Sequence, residues 1–191
     1  DSMLKAGKKA NELNTPIILD PVGSGATKLR TESAKKLIDD LSISVVRGSA
    51  SEVLSLVHEG SRTKGVDSIH SVDEAVDAAI ILAKELKTTL AITGAVDLIT
   101  DGERIYRVSN GHESMGYTTG TGCTATAMIG AFLAVDRDPV EATTTALSYF
   151  GLAGEKAASN AKSPGSFQIA LLDALYTIDQ KQMEEGAKIY T

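Results

Sequence analysis

Three apolar runs of strand length recur in the first half of the chain, and each closes on a polar side chain. They are Pro16-Ile17-Ile18-Leu19-Asp20, Ile43-Ser44-Val45-Val46-Arg47 and Leu90-Ala91-Ile92-Thr93. Short apolar runs bounded by turn residues suit strands buried on both faces. Helix-period segments lie between them, which is the pattern of a parallel sheet with crossover helices. In open parallel sheets ligands bind outside the carboxyl ends of the strands. Asp20, Arg47 and Thr93 are therefore predicted to share one rim.

The intervening segments fill in the layout. Leu4, Ala6, Ala10 and Leu13 predict a helix over residues 2–13, stopped at Asn14. Pro21 to Gly25 reads as a loop, and Thr31 as the start of a helix with Glu32 in its first turn and Leu37, Ile38 and Leu41 inward. Ser49 with Glu52 fits a capping box for a short helix through Val57. Gly60 to Asp67 reads as loop, and Ser71 opens a longer helix whose apolar face runs from Val72 to Leu86. Val96–Thr100 and Arg104–Val108, around Asp101-Gly102, predict an antiparallel hairpin. Asp138-Pro139 starts a helix to about Ala158, and Ser163-Pro164 introduces a last one from Phe167 to about Tyr176. From Asp179 onward the tail is polar and expected to fray. The layout is one doubly wound α/β domain over residues 1–191, with a hairpin on one edge.

Thr118-Thr119-Gly120-Thr121-Gly122-Cys123-Thr124-Ala125 runs straight into small and apolar residues, as a buried helix with a glycine-rich start does. The first N–H groups of a helix lack intrahelical partners, and glycines let a ligand approach the backbone. Such a helix end is suited to phosphate. A plain Gly-rich turn capped by Thr119 or Thr121 fits the same letters, and the stretch alone does not separate the two.

Chemistry on the rim follows from residue type. Arg47 can fork onto phosphate oxygens or pair with a neighbouring helix. Asp20 and Glu52 are the carboxylates beside it, and magnesium commonly binds through one or two carboxylates plus waters and phosphates. Glu52 can instead simply close its capping box, and Asp20 can cap a loop. Thr93 can donate to a phosphate or satisfy a backbone carbonyl. A net charge of −6 and 4% aromatic residues argue against a nucleic-acid surface. No apolar run is long enough to span a membrane as a helix. The one cysteine, Cys123, rules out an internal disulfide and suits a reducing cytoplasm.

Two phosphate-binding motifs fail on context. Gly120-x-Gly122-x-x-Ala125 matches a dinucleotide fingerprint in letters, but that motif needs a buried strand before it and an acidic strand end after it. Met115 to Thr119 is polar, and Glu141 falls inside a helix start. Gly23-Ser24-Gly25-Ala26-Thr27-Lys28 lacks the Gly-Lys-Ser/Thr of a P-loop. A kinase without a P-loop remains.

Motifs along essentially the whole chain resemble the hydroxyethylthiazole kinase family of the ribokinase-like superfamily. They are Pro16 to Gly23, Ala26 to Thr31, Arg47-Gly48-Ser49-Ala50-Ser51-Glu52, Ala91-Ile92-Thr93-Gly94, Thr100-Asp101-Gly102, Ser109-Asn110-Gly111-His112, Gly120-Thr121-Gly122-Cys123 and Gly165 to Ile169. The resemblance implies a ribokinase-like fold, a mostly parallel sheet flanked by helices with an antiparallel hairpin at one edge. It implies transfer of the ATP γ-phosphate to the hydroxyl of 4-methyl-5-(2-hydroxyethyl)thiazole, a step of thiamine salvage. By match of motif, Arg47 and Thr93 would contact ATP and Gly120 the thiazole. Asp20 and Glu52 would hold magnesium, partly through water. The backbone from Gly120 through Thr121 and Gly122 to Cys123 would form the anion hole. Cys123 stands where most ribokinase-like enzymes place an aspartate as base. A cytoplasmic homotrimer is the implied setting.

Three departures bear on this. Ser49 replaces the family's usual Asn, and Glu113 to Thr118 lacks the usual Pro-containing, more apolar loop. The family also carries a further N-terminal segment with a first strand and a substrate-contacting methionine, which Met3 does not replace. The alternatives to an active thiazole kinase are a catalytically incomplete nucleotide-binding fragment, or another ribokinase-like enzyme such as a vitamin kinase or a nicotinamide-nucleotide repair dehydratase. Cys123 in place of aspartate counts against the last group.

Overall fold

Among the described residues six strands form one sheet in sequence order, with two parallel and three antiparallel pairings. A computed structural model describes residues 1–57 and 72–191. The loop expected at Gly60–Asp67 and the helix start expected at Ser71 lie outside the described residues. Strands β1 (Ile18–Leu19), β2 (Val45–Gly48) and β3 (Thr89–Ile92) run parallel. Strands β4 (Asp97–Thr100), β5 (Ile105–Val108) and β6 (Ile189–Tyr190) continue the sheet antiparallel. The expected hairpin is β4–β5, with Leu98 opposite Arg107 and Ile99 opposite Tyr106.

Alternation along β2 and β3 divides the core into two layers. Val45 and Ala91 face one side, with Ile99 and Val108. That side is covered by α5 (Thr121–Leu133), α6 (Pro139–Asn160) and α7 (Pro164–Thr177), through Ile129, Leu147, Phe150 and Phe167. Val46 and Leu90 face the other side. There they meet Ala34 of α2 (Lys28–Asp40), Val53 of α3 (Ala50–Leu54) and Leu82 of α4 (Val72–Leu86). The first helix, α1 (Ser2–Glu12), is tied to the end of α2 by Asn11, whose side chain exchanges two 2.9 Å hydrogen bonds with the backbone of Ser42.

Several boundaries differ from the sequence expectation, each for a local reason. Helix α2 starts at Lys28 rather than Thr31, because Thr27 takes the N-cap position and accepts the Arg30 N–H. Thr31 instead accepts the Gly25 N–H at 2.8 Å and donates to Thr27 O. The tail is ordered rather than frayed. Asp179 and Gln182 form a capping box for α8 (Gln180–Gly186), and β6 then pairs with β5. Asn110 locks this ending in place. Its Nδ2 donates to Gly186 O and Glu155 Oε1, and its Oδ1 accepts from the Lys188 N–H and the Ser148 hydroxyl. Asn110 is only 6% exposed, so these four bonds satisfy a group that water does not reach. No helix among the described residues is long and apolar enough to cross a membrane.

Candidate active site

The carboxyl ends of β1, β2 and β3 do converge, and Arg47 is the side chain on which they meet. Its Nη1 lies 3.3 Å from Asp20 Oδ2 and its Nη2 2.8 Å from Thr93 Oγ1. The Arg47 and Asp20 side chains are 13% and 16% exposed, well inside the rim. Arg47 Nε is buried without a partner, so two terminal nitrogens carry the whole tether. Each terminal nitrogen has a second N–H still to donate. Thr93 also donates to Gly48 O at 3.3 Å, which is the second of the two roles open to it from sequence, while its oxygen accepts from Arg47.

The start of α5 sits directly under that guanidinium. Gly120 occupies the N-cap with φ of 94°, a left-handed conformation that glycine adopts without strain. No side chain caps this helix, so neither Thr119 nor Thr121 does what the plain-turn reading required. Thr124 is the first residue whose N–H finds an intrahelical acceptor, Gly120 O. The N–H groups of Thr121, Gly122 and Cys123 are left as helix-end donors. Gly122 serves a different need from Gly120. A Cβ there would come within 2.9 Å of Arg47 Nη1, so only a bare backbone lets the guanidinium lie over the helix end.

The expected residues divide by what their atoms do. Asp20, Arg47, Thr93, Gly120 and Gly122 are brought together as predicted from strand ends and glycine spacing. Thr121 is present through its backbone only. Its hydroxyl turns away and staples the preceding loop, donating to Met115 O and Thr118 O. Cys123 is a free and exposed thiol in the first turn. Glu52 is committed to structure: Oε1 accepts the Gly23 N–H, and Oε2 accepts the N–H and hydroxyl of Ser49. Burial opposes its charge, but those donors and the Arg47 charge outweigh burial and hold its carboxyl below the usual range.

Two residues of the site escaped the sequence. Thr126 donates to Asp20 Oδ2 at 2.9 Å and so anchors β1's terminal carboxylate to α5. The available signal was its place one helical turn after Gly122. Asp97, at the start of β4, accepts the Gly94 N–H at 2.9 Å. Burial pushes its carboxyl up to about 6, against the opposing pull of Gly94 and Arg47. An Asp three residues past the Gly that follows the end of β3 was the signal.

Several of these groups line a cavity of about 500 Å³. Arg47, Thr93, Asp97, Thr121 and Gly122 line it together with the apolar Met115, Leu147 and Phe150. Fixed N–H donors, a forked cation and a nearby carboxylate suit a phosphorylated ligand, and the apolar side chains of the lining suit a flat heterocycle.

Fold and rim together define a kinase of the ribokinase-like class. A Staphylococcus aureus pyridoxal kinase in complex with AMP-PCP shares the fold with a TM-score of 0.60 at 23% identity, covering 81% of this chain and 58% of that one. The chain belongs to the hydroxyethylthiazole kinase family, whose model matches residues 1–181. A hydroxyethylthiazole kinase of Desulfotalea psychrophila is 60% identical over 188 residues, 98% of this chain and 69% of the relative. One from Moorella thermoacetica is 47% identical over 189 residues, 99% of this chain and 71% of the relative. The solved hydroxyethylthiazole kinase of Pyrococcus horikoshii superposes with a TM-score of 0.88 at 44% identity, over 99% of this chain and 70% of that one.

Proposed function

We propose that the chain transfers the γ-phosphate of ATP to the primary hydroxyl of 4-methyl-5-(2-hydroxyethyl)thiazole. The observation that carries this reading is the single rim holding Arg47, Thr93, Asp20 and the bare N–H groups of the α5 start, from which Arg47, Thr93, Thr121 and Gly122 line the cavity. The phosphates of ATP lie toward Arg47 and Thr93. Gly120 borders the acceptor alcohol. The N–H groups of Thr121, Gly122 and Cys123 receive the charge that gathers on the transferring phosphoryl oxygens. Phosphoryl transfer needs positioning and charge stabilisation above all, and these donors are aligned before the ligand arrives.

Magnesium fits this donor set in a restricted way. Both hydrogen bonds to Asp20 fall on Oδ2, so Oδ1 is without a protein donor among the described residues. Glu52 has both oxygens engaged and would reach a cation through water. Among the described residues there is no group of three or more acidic, His or Cys side chains placed to hold a metal. One or two carboxylates completed by waters and phosphates is the usual arrangement for magnesium. Bound there, the cation would neutralise phosphate charge.

Cys123 lies beside the reacting groups as a weak proton acceptor or a packing surface, since a loose transition state does not demand early loss of the alcohol proton. The assembly is a homotrimer, as the family resemblance implies. Thiazole-dependent release of ADP in the presence of magnesium tests the reaction. ADP released only with a sugar alcohol or a pyrimidine would show the acceptor to be wrong.

A further inference from the structure

Thr126 directs its hydroxyl away from its own helix. Thr124 in α5 and Thr144 in α6 return theirs to the carbonyl four residues back, at 2.9 and 2.8 Å. That is the ordinary local bond of a threonine inside a helix. Thr126 has the same acceptor available, but Gly122 O is 3.3 Å away and Asp20 Oδ2, at the end of β1, is 2.9 Å away. A hydroxyl has a single proton to donate, and the shorter, charge-assisted bond takes it.

This bond bears on which Asp20 oxygen stays open. A guanidinium facing a carboxylate favours a fork, two parallel N–H bonds that engage both oxygens. Arg47 does not close that fork. Thr93 holds its Nη2 at 2.8 Å, and its Nη1 meets Asp20 at 3.3 Å on Oδ2 alone. Thr126 donates to the same oxygen. The terminal torsion of an aspartate is broad, so the carboxylate takes its orientation from these donors. Oδ1 is left without a protein donor among the described residues. We propose that Thr126 is a positioning residue, turning Asp20 so that Oδ1 stays available to the divalent cation that accompanies the nucleotide. This assignment rests on the reading of Asp20 as the magnesium carboxylate.

Calorimetry on the full chain with ADP, once in EDTA and once with Mn2+, gives the fold by which the cation tightens ADP binding. The wild type is expected to gain at least about 10-fold, because the cation offsets the Asp20 charge beside the phosphates. Thr126→Val removes the hydroxyl at nearly constant shape and should lose most of that gain. Removing a hydrogen-bond partner of a metal-binding group weakens metal affinity about 10- to 100-fold. Thr126→Ser should keep the gain, and Thr126→Ala repeats the valine test with a smaller side chain should the valine variant fail to fold. A threonine that only supports the fold would weaken ADP binding alike with and without Mn2+. A wild-type gain in Thr126→Val, with Asp20→Asn losing it, would therefore overturn the assignment alone. If Asp20→Asn keeps the gain, or the wild type shows none, the cation reading of Asp20 falls and this assignment with it.

Discussion

Arg47 is tethered by Asp20 and Thr93, so its fork is oriented toward the α5 start without a ligand to order it. Arg47→Ala is expected to weaken ATP use by about 1.5–3 kcal/mol with a much smaller effect on thiazole binding. Arg47→Lys should recover only part, because an ammonium cannot bond Asp20 and Thr93 in the same plane and still face a phosphate. Separate titration of the ATP and thiazole KM values reads the split, and an unchanged ATP KM in a folded Arg47→Ala protein would refute the role. Asp20, Arg47 and Thr93 were legible because strand period and sheet topology alone bring strand ends together. Thr126 and Asp97 were not, since each acquires its role from a partner on another element or across a turn. Thr121 and Glu52 show the converse. Their types suit a phosphate site, but nearer backbone groups claim the Thr121 hydroxyl and both Glu52 oxygens.

Among the elements, α6 carries the most structure around the cavity: Leu147 and Phe150 line it, while Ser148 and Glu155 hold Asn110. Glu155 Oε1 also accepts the Gly111 N–H, so the loop that walls the cavity hangs from the same point as α8 and β6. Asn110→Ala would leave the Ser148 hydroxyl, the Lys188 N–H and Gly186 O without this partner. A loss of about 2–4 kcal/mol is expected. Urea denaturation measures it, and faster amide exchange at Lys188, Ile189 and Tyr190 than in the rest of the sheet would show where it acts. Protection of β6 equal to wild type would count against the tether. The sequence gives no sign of β6, because a two-residue strand has no period to detect and its pairing is decided by Asn110, far away in the chain. The capping box at Ser49 and Glu52 was visible because it is wholly local. The α2 start was misplaced because Thr27 and Thr31 are chemically equal as caps, and only the Gly25 turn distinguishes them.

For the whole molecule, the carboxyls pull stability in opposite directions with pH. Burial works against charge on Glu155, but Gly111, Lys188 and Asn110 hold its carboxyl below the usual range. It therefore contributes stability above its unfolded pKa that is lost as pH falls through the folded value. Asp97 has the reverse sign: raised to about 6 in the fold, it contributes stability fully present below its ordinary 3.8 and lost as pH rises through 6. At neutral pH its ionisation costs the fold on the order of 3 kcal/mol at most. Asp97→Asn should therefore raise the melting temperature at pH 7.5, and that gain should shrink toward pH 4. An equal shift at both pH values would show that desolvated charge is not the cause. The Asn110 tether also has a consequence for how the chain is made. The partners of Asn110 lie as far as 76 and 78 residues downstream, at Gly186 and Lys188. At ordinary synthesis rates this side chain waits roughly 4 to 16 s for them. During that interval the outer edge of β5 is an open template for a foreign strand. A nascent chain stalled before Lys188 is thus the form of this protein most exposed to aggregation, and the one on which a chaperone would act.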